Sequence, residues 1–143
     1  MRISLKTIIS SALLTTLVGG LSSSATAAPL FEPFGEGVLP SGKYVQNFRF
    51  TIHHGETVPW HYHPGKIYGV IVSGTLTEDK GCGQPVSTIT SGSAFSETAG
   101  AIHRVFNYGN EDVVIIFTFI VPPSYAGYTG TIFVNGPRCD DDD

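Results

Sequence analysis

Apolar positions along this chain recur mainly with the period of a strand. The run "YVQNFRFTI", residues 44–52, alternates: Phe48, Phe50 and Ile52 fall on one face, Asn47, Arg49 and Thr51 on the other. Two further runs, "IYGVIVSG" (67–74) and "VVIIFTFIV" (113–121), are nearly continuous apolar stretches of strand length, rich in β-branched residues. Shorter strands are predicted at 75–78, 86–90, 94–97, 102–107 and 131–134. Between them stand Gly-Glu, Pro-Gly, Ser-Gly, Gly-Asn and Pro-Pro breaks, the turn chemistry that punctuates an antiparallel sheet. Little of the chain has a helical pattern, so the expected fold is all-β, a sandwich or a barrel.

The first residues depart from that pattern. Arg2 and Lys6 precede the apolar run "IISSALLTTLVGGL", and "SATAAP" offers small residues suited to cleavage, which together predict a secretory signal peptide over 1–27, cut after Ala27. The rival reading, an uncleaved anchor helix, is weakened by the Ser, Thr and Gly that interrupt the run and by the lack of stop-transfer charges after it. No later segment has the pattern of a membrane span. The protein is therefore expected to be secreted or periplasmic, with a mature chain of about 116 residues, enough for one modest core. That chain keeps six basic and twelve acidic residues, a net charge of −6, with four of the acids in the tail Asp140–Asp143. Its scattered bases offer nucleic acid no charged stripe, and the tail reads as a solvated end.

Export also changes the reading of the two cysteines, because thiols outside the cytoplasm meet an oxidising environment. Cys82 in "DKGCGQP" and Cys139 in "GPRCDDDD" both lie in polar, turn-like surroundings. A disulfide joining them is the favoured reading; two free thiols, or metal ligation by one, are the alternatives. Neither has a second ligand-type residue at finger-like spacing, which argues against a structural zinc site.

The candidate chemistry lies in "PWHYHPGKIYG", residues 59–69. In an extended strand His61 and His63 share one face while Trp60 and Tyr62 share the other. His103, in "SETAGAIHRVFN", follows a strand and a Gly100 turn that would bring it back across the sheet. Three neutral imidazoles meeting inside a barrel make a competent site for a divalent transition metal, with positions open to water or substrate.

These residues also carry a family resemblance. Gly55, His61, His63 and Gly74, with Ile67 between them, resemble the first cupin motif, although that family usually has glutamate where Ile67 stands. Gly92, Gly100, His103 and Asn107 resemble the second motif, with Thr98 in place of its usual proline. The two motifs lie 17 residues apart and together cover 53 of the 143 positions. The resemblance implies a single jelly-roll β-barrel over 43–137, preceded by an extension at 28–42 and followed by the tail 138–143. It also implies a metal held by His61, His63 and His103, of which iron, manganese, nickel, copper, cobalt and zinc are all candidates. The glutamate ligand does not carry over to Ile67 or to Tyr68.

Loss of that carboxylate would leave a divalent ion its full charge and an empty coordination position. The expected ligand is then small, oxygen-bearing and anionic: a diketone enolate, a catechol-like oxygen pair or a carboxylate. Phe50, Ile67 and Val70 are the expected pocket-lining residues. His53 and His54 read as rim residues, with His54 the one in phase to reach the pocket as an acid–base group. Glu97, six residues before His103, reads as an ordinary edge-strand acid, with a supporting acceptor role as the alternative. Trp60 and Tyr62 are assigned to sheet packing or a subunit interface, and Asn107 and the motif glycines to turns. Two functions stay open: a metal-dependent enzyme, dioxygenase-like or isomerase-like, and a non-catalytic module binding a metal or small ligand. A homodimer is expected, because a small barrel leaves edge strands to cover.

Overall fold

The computed structural model describes residues 29–125 and 130–139; the expected signal peptide and Asp140–Asp143 lie outside them. The described strands are β1 (Leu30–Val38), β2 (Tyr44–Ile52), β3 (Thr57–Tyr62), β4 (Lys66–Ser73), β5 (Thr75–Asp79), β6 (Ser87–Thr90), β7 (Ala94–Glu97), β8 (His103–Phe106), β9 (Val113–Val121) and β10 (Ile132–Phe133). A short 3-10 turn at Pro123–Tyr125 is the one helical element among the described residues. No helix among them is long and apolar enough to cross a membrane.

The strands form two antiparallel sheets, ordered β1-β2-β9-β4-β7 and β10-β3-β8-β5-β6, which pack as a jelly roll. The centre of the first sheet is built where the strongest apolar runs meet. Strands β2 and β9 pair without a break from Tyr44 opposite Val121 to Ile52 opposite Val113. In β9 the odd-numbered residues Val113, Ile115, Phe117, Phe119 and Val121 are buried, so the apolar run divides into an inner face and a less covered outer one. Phe48 and Phe117 stack with ring centroids 5.6 Å apart, and Phe119 meets Phe48 edge-on at 5.8 Å. Burying each such side chain contributes roughly 1.5–3 kcal/mol, and the tilted and edge-on ring contacts add to this.

Strand β1 was not foreseen. It lies in the segment expected as an N-terminal extension and pairs along β2, with a register shift between Pro33 and Gly35. Its Phe31 packs inward against Phe48, Phe50 and Phe117. The two glycines and one proline between Leu30 and Val38 conceal the strand from a propensity reading, because the partner strand and not local preference holds it extended.

In β4, Ile67 and Ile71 are fully enclosed, whereas Tyr68, Val70 and Val72 lie on the outer face. Val70 therefore points away from the interior and does not line the cavity between the sheets. It is three residues from Ile67, and strand alternation sends residues three apart to opposite faces. Gly69 shares the inner face because nothing larger fits: a Cβ there would lie 2.5 Å from the Phe95 ring. Cys82 and Cys139 form a disulfide, which ties residues 130–139 to the loop after β5.

Candidate metal centre

His61 is turned inward by an irregularity in the second sheet. Val58 pairs with Val105 and His61 with His103, so Pro59 and Trp60 of β3 stand against Arg104 alone on β8. In an unbroken ladder Val58 and His61 would face opposite ways; the extra residue brings both to the inner face. Pro59, which has no N–H to give a ladder, sits at the irregularity. Its carbonyl accepts a hydrogen bond from His61 Nδ1 at 2.7 Å.

The other two rings are held in the same manner. His63 Nδ1 donates to the Gly130 carbonyl at 2.6 Å, and His103 Nδ1 to that of Ala101 at 3.1 Å. These assignments place the proton of each neutral ring on Nδ1 and leave each Nε2 lone pair free. Burial holds the His61 pKa down to about 4, with the neighbouring His103 adding to the effect. Burial likewise lowers that of His63 to about 3. The His61 and His63 rings are thus neutral at physiological pH, the form that ligates metals. Ring centroids lie 4.3 Å apart for His61 and His103, 4.9 Å for His61 and His63, and 5.3 Å for His63 and His103.

A carboxylate joins them from an unforeseen direction. Glu97 pairs directly with Ile67 in the β4–β7 ladder, so the two side chains share a face. Its Oε2 lies 3.2 Å from His63 Nε2 and 3.5 Å from His103 Nε2, and that oxygen is buried without a hydrogen-bond partner. Burial raises the Glu97 pKa. The expectation of a site without a carboxylate is corrected accordingly: the acid missing at position 67 stands across the ladder. The reading of Glu97 as an ordinary edge acid fails for the same reason, since β7 is an edge strand but Glu97 is on its inner face with Phe95. That shared phase between a carboxylate and an aromatic residue was the available sequence signal.

Above this cluster opens a cavity of about 330 Å³. Its walls are chiefly apolar, with Phe31, Phe50, Phe95, Phe117 and Phe133 contributing rings and Ile67, Leu76, Val105 and Ile115 aliphatic surface. Its polar side chains are the three histidines, Glu97, Thr57 and Thr131; among the described residues no lysine or arginine lines it. The C-terminal strap completes one wall, as β10 pairs with β3 and places Phe133 opposite His61.

The remaining candidates lie elsewhere. His53 meets Asp112 at 3.1 Å on the surface, and His54 bonds the Gly109 carbonyl, so neither reaches the cavity. Arg104 stacks over Trp60, 4.5 Å from its ring centroid, and Gly81 and Gly136 approach the same ring, so Trp60 packs on the outer side of the barrel. Asn107 is fully buried and bridges Ile52 and Glu111 with its amide while accepting from Gly109, a structural role. Glu78, which sequence reasoning passed over, is buried near Glu97 and His103, with Lys80 at 3.4 Å and the Ser87 hydroxyl at 3.2 Å.

His61, His63 and His103 are able to hold a metal ion. The donor set fits one chemically: three imidazole nitrogens converge, and the buried Glu97 oxygen lies within 3.5 Å of two of them, a mixture suited to divalent transition metals.

Comparison with known proteins agrees with this geometry. The family model described as "Cupin domain" matches residues 48–119. No curated protein matches the chain by sequence. Among solved structures, an oxalate oxidase in complex with the substrate analogue glycolate is similar at 22% identity and a TM-score of 0.57, covering 80% of this chain and 59% of that one. A protein with a double-stranded β-helix fold from Methanocaldococcus jannaschii is similar at 15% identity and a TM-score of 0.57, covering 75% and 92%. A third, from Desulfitobacterium hafniense, has 15% identity and a TM-score of 0.53, covering 65% and 77%. At these identities the likeness is one of fold.

Proposed function

Since this chain belongs to the cupin family, we propose that it is an exported protein that binds a divalent transition metal through His61, His63 and His103 and uses it to hold a small oxygen-bearing molecule. The observation that carries this reading is the convergence of three Nε2 lone pairs beneath an apolar cavity, each ring fixed by a backbone carbonyl. A bound metal would supply Lewis acidity and, if redox-active, access to dioxygen, which supports a dioxygenase-like or isomerase-like activity.

The chain's own residues set what such a site would accept. The phenylalanine walls exclude water and suit an apolar body behind the ligating oxygens. With no lysine or arginine among the described lining residues, ligand oxygens have the centre itself as their cationic partner. Three neutral imidazoles and one carboxylate would leave a divalent ion a net charge of +1, so an anionic oxygen is still favoured, less strongly than without Glu97. The glycolate bound by the oxalate oxidase neighbour is an oxygen-bearing ligand of this general kind.

A second reading, a non-catalytic binding module, is favoured by one observation: Glu97 is the one carboxylate among the described lining residues, and it faces the histidines. Among the described lining residues no separate side chain stands ready as a general base. Stoichiometric metal uptake by the untagged protein, followed by oxygen-electrode assays against catechols and diketones, separates the readings. Oxygen consumption supports the enzyme; ligand binding without turnover supports the module; no uptake from a panel of manganese, iron, cobalt, nickel, copper and zinc overturns the metal-binding reading and leaves a module that binds a small ligand in the apolar cavity.

Export is part of the same reading, supported by the disulfide and by the sequence of residues 1–27. Intact mass after secretion should show loss of about 27 residues. Pairing of two copies is supported by the outer face of the first sheet, where Tyr68, Val70 and Val72 of β4 adjoin Ile116 of β9, all exposed. Sedimentation showing a monomer at micromolar concentration would remove the dimer.

A further inference from the structure

We propose that Glu97 is the fourth protein ligand of this centre, delivered by edge strand β7 across the ladder from Ile67. This rests on the metal-binding reading above and adds to it a residue whose place the fold determines. Ile67 and Glu97 are direct partners, so either position can project a side chain to the same spot inside the barrel. Here the β4 position carries hydrocarbon and the β7 position carries the acid.

The surroundings of Glu97 leave little else for it to do. Its Oε2 is fully buried and accepts no hydrogen bond, which is costly unless a cation completes it. His63 Nε2 at 3.2 Å and His103 Nε2 at 3.5 Å face it, with the Glu78 carboxylate also close by, and both rings already donate through Nδ1 to backbone carbonyls. What faces the carboxylate oxygen is therefore a pair of nitrogen lone pairs. An acceptor set against acceptors is unfavourable until a proton or a metal cation lies among them, and the metal satisfies all of them at once. Lys80, the basic residue close by, is engaged 3.4 Å from Glu78.

The backbone also fixes Glu97 to the histidines. The Gly100 N–H donates to the His63 carbonyl at 2.8 Å, so the turn that follows β7 is anchored to the residue just beyond β3. Glu97 and His63 accordingly keep their separation without a salt bridge to hold them. Because the acid comes from β7, the wall at Ile67 remains apolar and adds to the hydrocarbon surface of the cavity.

The test compares wild type, Glu97→Gln and the exchange variant Ile67→Glu with Glu97→Ile, each prepared metal-free and titrated with cobalt(II) alone. Glu97→Gln keeps size and removes charge. A ligand role has opposite effects in the two states: the metal-free variant should melt higher, because an unpaired buried carboxylate is gone, and the cobalt-bound variant lower. Cobalt affinity should fall by about tenfold or more, the visible cobalt spectrum should change, and the exchange variant should recover much of the affinity. A purely structural acid would instead lower both melting temperatures. If wild type binds cobalt and Glu97→Gln binds it equally with the same spectrum, Glu97 is not a ligand although the three-histidine reading stands. If wild type itself binds no cobalt, that reading fails and the Glu97 proposal falls with it. Should Glu97→Gln not fold, the exchange variant decides: binding supports the transfer across the ladder, and a folded protein that binds nothing overturns it.

Discussion

His61 and His103 are direct partners in the β3–β8 ladder, with ring centroids 4.3 Å apart, although they lie 42 residues apart in sequence. Their opposition makes the pair rigid, and His63 completes the set from just beyond the strand. Alanine at any of the three should reduce metal affinity on the order of 100-fold, since two imidazoles hold a divalent ion weakly. His53→Ala is the matched control, because its ring meets Asp112 at the surface. Chelator-competition titrations should separate the three from the control; equal losses at His53 would count against a discrete centre.

The disulfide should matter to the site as well as to the fold. Cys82–Cys139 closes a sequence separation of 57 residues and holds down the strap that carries Thr131 and Phe133 in the cavity wall. Cys139→Ser should destabilise the protein by about 2–4 kcal/mol, chiefly through a less restricted unfolded chain. Denaturant midpoints with and without reductant will measure this. In wild type the midpoint should fall on reduction, while in Cys139→Ser reductant should change nothing.

The loop bearing Cys82 should also loosen in acid. Asp79 accepts from the Gly81 N–H at 2.7 Å and from two nitrogens of Arg104 at 2.9 and 2.7 Å. The Gly81 hydrogen bond, with Arg104 second, holds the Asp79 pKa below the usual aspartate value. The unfolded chain thus takes up this proton at higher pH than the folded one. The stabilisation is complete above about pH 4 and is lost as pH falls through the lower folded value. Wild type should exceed Asp79→Asn in stability at neutral pH, with the difference closing in acid; a constant difference would show that Asp79 acts through shape alone.

The strongly patterned strands were legible from sequence, and the irregular ones were not. Strands β2 and β9 declare themselves because tertiary contact and local preference agree along nine residues each. Phe50 and Ile67 line the cavity, as alternation within their strands would have it, whereas Val70 was placed against its own parity. His61 and His63 could be grouped because their spacing is local, and His103 because it stands at the histidine position of the second motif. Glu97 could not be assigned, because its role depends on the register between β4 and β7. Register is a pairing property that neither strand carries by itself. The extra residue at Pro59–Trp60 was hidden for the same reason, and it becomes visible only against β8.

Gly130 provides a test of how far one carbonyl governs the centre. Its φ is +70°, and a Cβ there would lie 2.5 Å from the ring of Phe119, which is completely buried. Alanine would bring both left-handed strain and a clash that the packed ring cannot relieve, so the backbone must shift. That shift would draw the Gly130 carbonyl away from His63 Nδ1, releasing the ring from its fixed orientation. Gly130→Ala should cost about 1–3 kcal/mol and lower metal affinity by roughly tenfold. Gly42→Ala supplies the comparison, since φ there is +77° but nothing lies within 4 Å of the added Cβ. It should show the strain alone, with metal binding unchanged. If Gly130→Ala binds metal as tightly as Gly42→Ala does, the Gly130 carbonyl does not set the aim of His63.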